Sequence, residues 1–362
     1  MPAALPSGFL QPLPYLKMPG LVCLLLLLPS LIPHSMNREE AIAKGIKIAE
    51  TRPCMHRRMN GHDYSRRGTY MVTIVTQHRL PLFGHIVGRY DAPHGHLDAP
   101  HIVLSALGQA VMSEEIKKIP LVYPEIEVWK LCVMPDHLHI LLRVSRDMPP
   151  KRHIGLAIGG FKGGCSKAAQ RLGLQLPSPL FEPGYCDKIL LYDEELEAWK
   201  TYLDDNPRRL LVKRQFPHLF TVLSDIDLAG RRCQMVGNRF LLDLPDKMAV
   251  IVHRRYTDEE NARLRETWLA CGERGGVLVS AAISPKEKEV LREAMDRDYR
   301  IILLRENGFP PLYKPSGEAF DACADGLLLQ ISPFPYHNDR KTITRSQCLD
   351  LNALAEIITH GH

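Results

Sequence analysis

Alternating apolar positions indicate three strands in the first half of the chain. The stretches 68–77, 125–134 and 137–145 are rich in β-branched and aromatic residues, which favour extended structure. Residues Met134 to His137 have the sequence MPDH, which is typical of a turn between the second and third stretches. We therefore predict that these two strands form an antiparallel hairpin.

Apolar residues at helical spacing predict three helices around these strands. They cover 100–119, 154–173 and 193–206. The third helix carries acidic residues in its first turn, as the helix dipole favours, whereas glycines weaken the second. Strands joined in one antiparallel sheet, with the helices on one face, predict an α+β domain.

The pattern changes after residue 220. Short, nearly continuous apolar runs occupy 247–255, 276–280, 300–307 and 326–332. Helical patterns lie between them, at 257–273, 285–297 and 315–324. This alternation is typical of a parallel sheet with crossover helices.

Two domains follow from this change of pattern. We predict one at 51–220 and a smaller, Rossmann-like α/β domain at 221–362, with a boundary between 216 and 245. Residues 1–50 are predicted to be a poorly ordered extension. Met36 begins a sequence typical of an ordinary protein start, so 1–35 is a candidate for an untranslated segment.

The apolar run LVCLLLLLPSLI at 21–32 is shorter than the roughly 20 residues that a membrane span requires. Its length also suits the core of a signal peptide, and that alternative stays open. Nine cysteines without CxxC spacing indicate neither a disulfide framework nor a cysteine-type zinc site. We therefore predict a cytoplasmic protein with no membrane partner.

Positive charge is concentrated in the first predicted domain. The chain has a formal net charge of +5, and residues 51–220 hold 23 basic and 17 acidic side chains. Residues 221–362 hold 19 basic and 21 acidic side chains. A basic domain is compatible with a nucleic-acid partner.

His137 and His139 are the first candidates for chemistry. Residues two apart on a strand share a face, so both imidazoles point the same way while Leu138 points to the opposite layer. Neutral histidine is the commonest metal ligand, and two on a rigid strand fix two coordination positions. The alternative is a chance pair of half-exposed rings.

A second candidate pair lies in the third predicted helix, in the sequence AWKTYLDDNP. Tyr202 and Asn206 are four residues apart and share a helical face. Tyr202 is a candidate nucleophile and Asn206 a candidate metal ligand, as metal-assisted phosphoryl chemistry requires. Because Pro207 disfavours helical geometry at the preceding residue, we expect the helix to end or kink there.

Three stretches together resemble the single-strand tyrosine transposases with a histidine-hydrophobic-histidine (HUH) motif, and among them the REP-associated tyrosine transposases. The stretches are MNGHDYSRRGTYMVTIVTQHRLPLFG, VMPDHLHILL and PLFEPGYCDKILLYDEELEAWKTYLDDNP. They occur in the family's order over about 56–220. Phe181 is a departure, since the family often has a tryptophan there.

This resemblance implies a ferredoxin-like antiparallel sheet and a metal-dependent DNA strand transferase. It assigns His137, His139 and Asn206 as ligands of Mg²⁺ or Mn²⁺ and Tyr202 as the nucleophile. The implied substrate is single-stranded or hairpin DNA, joined to the protein as a 5′-phosphotyrosine. Tyr185 and Tyr192 are rival tyrosines, but neither has a ligand-type residue four places on.

Basic side chains in two segments are candidate DNA contacts. The N-terminal segment supplies Arg57, Arg58, Arg66 and Arg67, and the glycine-rich second helix supplies Lys162, Lys167 and Arg171. Solvated basic surfaces are the alternative for both.

Two further features have competing interpretations. Asp136 is favoured as a turn residue in MPDH, with a hydrogen bond to a ligand histidine as the alternative. Ser284 and Pro285 predict a helix start after a strand, and that position is a possible anion site in the second domain. The second domain is also a candidate for binding DNA ends, sensing a nucleotide or mediating assembly.

Three functions remain open from the sequence. The favoured one is a transposase or nickase. The alternatives are a repeat-hairpin DNA-binding protein without catalysis, and a replication initiator or relaxase with HUH chemistry, which often has paired tyrosines. A homodimer that shares its sites between protomers also stays open.

Overall fold

The computed structural model describes residues 38–45, 58–59, 61–93, 95–253, 255–339 and 342–360. Most of the predicted extension at 1–50, including the apolar run at 21–32, lies outside these residues. Among the described helices, none is both long and apolar enough to cross a bilayer.

The described helices and strands are each numbered in chain order. The helices are α1 (Arg38–Ala43), α2 (Ala106–Ala110), α3 (Lys118–Val122), α4 (Ile154–Arg171), α5 (Glu195–Gln215), α6 (Asp258–Glu273), α7 (Pro285–Asp296), α8 (Glu318–Ala324) and α9 (Arg345–His360). The strands are β1 (Gly68–Val75), β2 (Gly84–Val87), β3 (His101–Leu104), β4 (Ile126–Met134), β5 (His137–Val144), β6 (Cys186–Ile189), β7 (Leu223–Leu228), β8 (Arg231–Gly237), β9 (Lys247–Ala249), β10 (Val277–Ser280), β11 (Arg300–Leu304) and β12 (Leu328–Ser332).

The first sheet is antiparallel and has the strand order β4-β5-β1-β6. Strands β4 and β5 form the predicted hairpin, and β5 pairs with β1 so that Thr73 lies opposite His139. Strands β2 and β3 form a separate small hairpin. Without it, the order is β1, helices α2 and α3, β4, β5, helix α4 and β6, which is the β-α-β-β-α-β order. The antiparallel sheet predicted from the sequence is confirmed.

Helices cover both faces of this sheet, so the prediction that they lie on one face is wrong. Leu138 and Ile140 of β5 pack into the core shared with α4, through side chains such as Phe161. Leu141 points to the opposite face and packs with Leu203 of α5. Strand β5 is therefore apolar on both faces, and the face of Leu141 is also that of the two histidines.

The second sheet has the strand order β7-β8-β12-β11-β10-β9. Strands β9 to β12 are parallel and are connected by α6, α7 and α8, as predicted. Strand β8 runs antiparallel to β12, and β7 to β8, so the sheet is mixed rather than purely parallel. Helices α6, α7 and α8 contribute to the core on one face, and α9 contributes to the core on the other.

Two local predictions are wrong. Residues 101–104 form strand β3 rather than helix, because they pair with β2 in a hairpin and their apolar spacing suits either structure. Helix α5 continues through Pro207 to Gln215. An internal proline costs about 3 kcal/mol, and buried residues on both sides of it, such as Leu203 and Val212, offset that cost by packing.

Helix α5 contributes to the cores of both sheets. Leu203 packs on the first sheet, whereas Val212 lies in the core beneath the second sheet with Phe320. Between them, the guanidinium of Arg209 stacks over Phe320, 3.6 Å from the ring centroid. The position of Tyr202 on this helix is therefore linked to the packing of both sheets.

Candidate active site

The two histidines stand side by side at the start of β5. The ring centroids of His137 and His139 are 4.8 Å apart, and the rings are nearly perpendicular. His139 is only 8% exposed because α5 covers this face of the sheet. The strand geometry predicted from the sequence, with both rings on the face opposite Leu138, is thus observed.

Hydrogen bonds hold each ring by its Nδ1 atom. His137 Nδ1 lies 2.6 Å from Asp136 Oδ1, and His139 Nδ1 lies 2.8 Å from Thr73 Oγ1. Arg79 Nη1 donates to the other oxygen of Asp136 at 2.9 Å. Asp136 therefore orients His137, as the alternative interpretation had it, and is not only the turn residue that the sequence favoured. In both rings Nε2 is the nitrogen that remains to bind a ligand.

Burial and charge set the protonation of this group. Burial lowers the pKa of His139 well below its usual value, and the neighbouring His137 lowers it further, so the ring is held neutral. Burial alone would raise the pKa of Asp136. The charges and hydrogen bonds of His137 and Arg79 outweigh that effect and hold the pKa well below its usual value. Neutral imidazole is the form that binds a metal.

Tyr202 and Asn206 approach the histidines from α5. The ring centroids of Tyr202 and His139 are 6.0 Å apart, and Tyr202 is 36% exposed. Asn206 is buried, and its Nδ2 donates to the carbonyl oxygen of Tyr202 at 2.8 Å. That bond leaves the Asn206 Oδ1 as the atom available to a cation. The four predicted residues therefore line one cleft.

These donors suit a divalent cation. Within the described residues, no group of three or more His, Cys, Asp or Glu side chains is arranged to hold a metal. The set here is instead two imidazoles with Nε2 available and one carboxamide oxygen, supported by hydrogen bonds at Nδ1. Such a mixed set suits Mn²⁺ better than Mg²⁺.

The rival tyrosines lie elsewhere. Tyr185 is buried, and the guanidinium of Arg58 covers its ring at 3.6 Å from the centroid. Burial raises the pKa of the Tyr185 hydroxyl, which disfavours the nucleophilic phenolate. Tyr192 is exposed, and neither residue lines the cleft that contains His137.

Arg209 is a neighbour of Tyr202 that the sequence interpretation missed. Its guanidinium lies 5.5 Å from the ring centroid of Tyr202, and burial lowers its pKa. The spacing 202, 206, 209 follows one helical face and was the signal that could have revealed it.

The cleft lies between the two sheets and has a volume of about 1030 Å³. Its lining includes the histidines, Tyr202 and Asn206. A further part of the lining, the second-sheet wall, is formed by residues 309–314 and Tyr336, which follow strands β11 and β12. Five basic side chains line the cleft, Arg79, Lys188, Lys213, Arg214 and Lys314, against two acidic ones, Asp136 and Asp187.

The predicted DNA contacts of the N-terminal segment have different surroundings. Arg57 lies outside the described residues. Arg58 donates to the Tyr185 carbonyl and pairs with Asp187 at 3.2 Å. Arg66 pairs with Asp63 and Asp147 and is exposed, as is Arg67. A contact between these arginines and DNA stays a prediction.

The three candidates on α4 also differ. Lys162 donates to the carbonyl oxygens of Glu182 and Gly184, so it supports the segment that leads into β6. Arg171 pairs with the buried Glu115 at 2.9 Å. Lys167 is exposed. A phosphate contact from this helix stays a prediction, and Lys167 has the fewest competing bonds.

The anion site suggested at the start of α7 is filled by the protein itself. Ser284 caps the helix, but the buried carboxylate of Glu287 accepts hydrogen bonds from the backbone amides of Val252, Ile283 and Ser284. Since these amides already bind a carboxylate, they are not available to an external anion.

Comparison with known proteins gives partial matches. No family model matches the chain. An uncharacterized protein of Haemophilus influenzae is 25% identical over 120 residues, which are 33% of this chain and 53% of the relative. The chain thus spans about half the length of the curated relative it matches.

Three solved structures match part of the chain at low TM-score and identity. A REP-associated tyrosine transposase bound to a REP hairpin is 14% identical, with a TM-score of 0.27, over 42% of this chain and 73% of that one. A proposed transposase from Deinococcus radiodurans R1 is 18% identical, with a TM-score of 0.25, over 42% and 97%. DNA processing protein A from Helicobacter pylori is 19% identical, with a TM-score of 0.27, over 38% and 64%.

Proposed function

We propose that this protein is a metal-dependent DNA strand transferase of the HUH tyrosine transposase type. The observation that carries the proposal is the placement of Tyr202 against His139, with ring centroids 6.0 Å apart, in a cleft that also holds His137 and Asn206. These residues lie on two elements separated by about 60 positions in the sequence, and packing of α5 on the sheet brings them together.

His137, His139 and Asn206 would hold the cation. When bound, it would withdraw charge from the scissile phosphate as a Lewis acid. Asp136 and Thr73 fix the two rings through their Nδ1 atoms, so that both Nε2 atoms point away from these bonds. Little conformational entropy of the two histidine side chains would therefore be lost when the cation binds.

Tyr202 would attack the phosphorus of a single-stranded or hairpin substrate. A bond forms between the phenolic oxygen and phosphorus, and the bond from phosphorus to the 3′ oxygen breaks. The phenolic proton is lost and the leaving 3′ oxygen gains one, so no net proton is consumed. The guanidinium of Arg209 lies beside the Tyr202 ring, 5.5 Å from its centroid. Because the phosphotyrosine keeps the bond energy, the reverse step can join a second strand without ATP.

The lining of the cleft supports a polyanionic substrate. Arg79 is paired with Asp136, but Lys188 and Arg214 have no acidic partner within ion-pair distance among the described residues. Phosphates entering the cleft would gain these contacts and release counterions.

The test is capture of the covalent intermediate. Hairpin DNA labelled at its 3′ end is incubated with protein and Mn²⁺, and a labelled protein band is expected after denaturing electrophoresis. DNA labelled at its 5′ end is expected to give a shortened product with a 3′ hydroxyl and no labelled protein. Tyr202→Phe should abolish both products, while Tyr192→Phe should retain them.

Two results would contradict the proposal. An adduct that survives Tyr202→Phe would assign the nucleophile to another residue. DNA binding without an adduct from the unaltered protein would favour the alternative of a repeat-hairpin binding protein that has no catalytic activity.

A further inference from the structure

The second-sheet wall of the cleft, residues 309–314 and Tyr336, belongs to the second sheet. Residues 309–314 follow β11, and Tyr336 follows β12, so both lie beyond the carboxyl ends of parallel strands. In open α/β sheets that edge is the usual place for a ligand. Here the edge lines the same cleft as the candidate nucleophile, instead of forming a separate site.

The backbone of this wall is held rigidly. Pro310 and Pro311 fix two successive φ angles, and Leu312 adopts a left-handed conformation with φ of 60°. The amide of Phe309 donates to Gln234 Oε1 at 2.9 Å, and the Tyr313 hydroxyl donates to Gln330 Oε1 at 3.2 Å. A binding surface that is ordered in advance loses little conformational entropy when a ligand arrives.

Gly308 brings the two parts of the wall together. A Cβ atom at this position would lie 2.5 Å from the backbone nitrogen of Tyr336 and 2.7 Å from the carbonyl oxygen of Phe334. Only glycine permits this approach, because both neighbours are backbone atoms. The loop after β11 and the segment after β12 are therefore packed against each other directly.

Aromatic rings on this wall differ in what they can contact. Phe309 is buried and packs against Tyr313, with ring centroids 4.8 Å apart. Tyr336 lines the cleft and is 37% exposed, and its hydroxyl donates to Asn338. The ring of Tyr336 is therefore anchored at its polar end while part of its surface remains open.

Charge and aromatic surface lie in the same cleft. Lys188 from β6 and Lys314 from the second-sheet wall are both exposed and both line it. Proteins that bind single strands combine a basic groove for the backbone with aromatic rings on which bases stack. In duplex DNA the base faces are covered by neighbouring pairs, so a stacking ring selects for unpaired bases.

We propose that Tyr336, whose backbone packs against Gly308, stacks on an unpaired nucleobase beside the phosphate presented to Tyr202. The second sheet then makes the cleft selective for single-stranded DNA, and it is part of the substrate site. This inference rests on the proposed function for the position of the scissile phosphate, but the stacking itself is a binding property that can be measured without cleavage.

The test uses the full chain carrying Tyr202→Phe, so that binding is measured without chemistry. Fluorescence anisotropy with a labelled single-stranded oligonucleotide gives the Kd. Tyr336→Ala in this background is expected to raise the Kd roughly tenfold, the usual scale for one stacked base. Tyr336→Phe should restore binding, since it keeps the ring. Phe240→Ala, which removes an exposed aromatic between β8 and β9 outside the cleft, should leave the Kd unchanged.

An abasic scan locates the contact. Replacing one nucleotide near the cleavage position by an abasic residue should weaken binding to the protein that has Tyr336 and should add nothing further to Tyr336→Ala. Duplex DNA of the same sequence should bind equally to both proteins. An equal loss for Phe240→Ala, or equal effects of Tyr336→Ala on single strand and duplex, would overturn the inference.

Failure of the inference and failure of the proposed function give different results. If the unaltered protein forms the adduct while Tyr336→Ala binds single strands normally, the inference fails and the strand-transferase proposal stands. If Tyr336 governs single-strand binding but no adduct forms with any substrate, the stacking site stands and the catalytic proposal fails.

Discussion

Arg209 stacks on Phe320 at 3.6 Å from the ring centroid, and the same guanidinium lies 5.5 Å from the ring centroid of Tyr202. One side chain therefore contacts the core beneath the second sheet and stands beside the candidate nucleophile. Since α5 also packs on the first sheet through Leu203, the position of Tyr202 depends on both cores.

Removing the ring of Phe320 should destabilise the protein and misplace Tyr202. Phe320 is fully buried, so Phe320→Ala is expected to lower the free energy of unfolding by about 3–5 kcal/mol, of which the lost cation–π contact supplies about 2. Urea unfolding measures the loss. Phe240→Ala, at an exposed position, should change stability by no more than about 0.5 kcal/mol. Equal losses for both variants would refute the packing argument.

Removal of the Thr73 hydroxyl should lower the affinity of the site for a metal ion. Thr73→Val keeps the shape but removes the hydroxyl bonded to His139 Nδ1. Loss of such an orienting bond typically lowers metal affinity about 10- to 100-fold. Calorimetric titration with Mn²⁺ checks this, with Thr201→Val, exposed on α5 next to Tyr202, as the matched control. An unchanged affinity in Thr73→Val would mean that His139 is not a ligand or needs no orientation.

Stability without metal should fall as the solution becomes acidic. His139 has a pKa well below its usual value because it is buried, so below about pH 6.5 the unfolded chain binds a proton that the folded chain does not. The stability contribution is present above that pH and is lost as the pH falls towards the folded pKa. The urea midpoint in EDTA should drop between pH 7.5 and 5.5.

His139→Asn tests the origin of that pH dependence. The variant lacks the titrating ring, so the difference between its two midpoints should be smaller than in the unaltered protein. If the difference persists at full size, another group is responsible and the buried neutral state of His139 is not the cause.

Glu287 should matter for stability and not for DNA binding. Its buried carboxylate accepts three backbone hydrogen bonds, so Glu287→Gln is expected to cost about 1.5–3 kcal/mol. Chemical unfolding measures the cost, and Glu289→Gln, exposed on the same helix, should have little effect. A Kd for single-stranded DNA that rises in Glu287→Gln under native conditions would instead place the start of α7 in the binding site.

Local periodicity predicted much of the secondary structure but left some elements out. Strands β1, β4 and β5 and helices α4, α6 and α7 lie where the pattern placed them, because side-chain alternation is a property of the segment itself. Helix α9 is absent from the predicted elements, although its buried residues Leu351, Leu354 and Ile358 have helical spacing. The antiparallel strands β7 and β8 were not predicted either, because their polar positions resemble a linker.

Local sequence spacing is enough to show which residues share a face. His137 and His139 are two apart on a strand, and Tyr202 and Asn206 are four apart on a helix, so each pair is aligned by backbone geometry alone. That the two pairs meet is a property of the folded chain. That meeting requires α5 to pack on the face of the sheet opposite α4, through contacts such as Leu141 with Leu203.

The same distinction holds for the partners of the site. The bond between Thr73 and His139 follows from the register of β1 on β5, and the wall around Tyr336 follows from the docking of the second sheet against the first. Neither relation has a fixed spacing in the sequence. Register and docking depend on burial of apolar surface between distant segments, which local patterns do not specify.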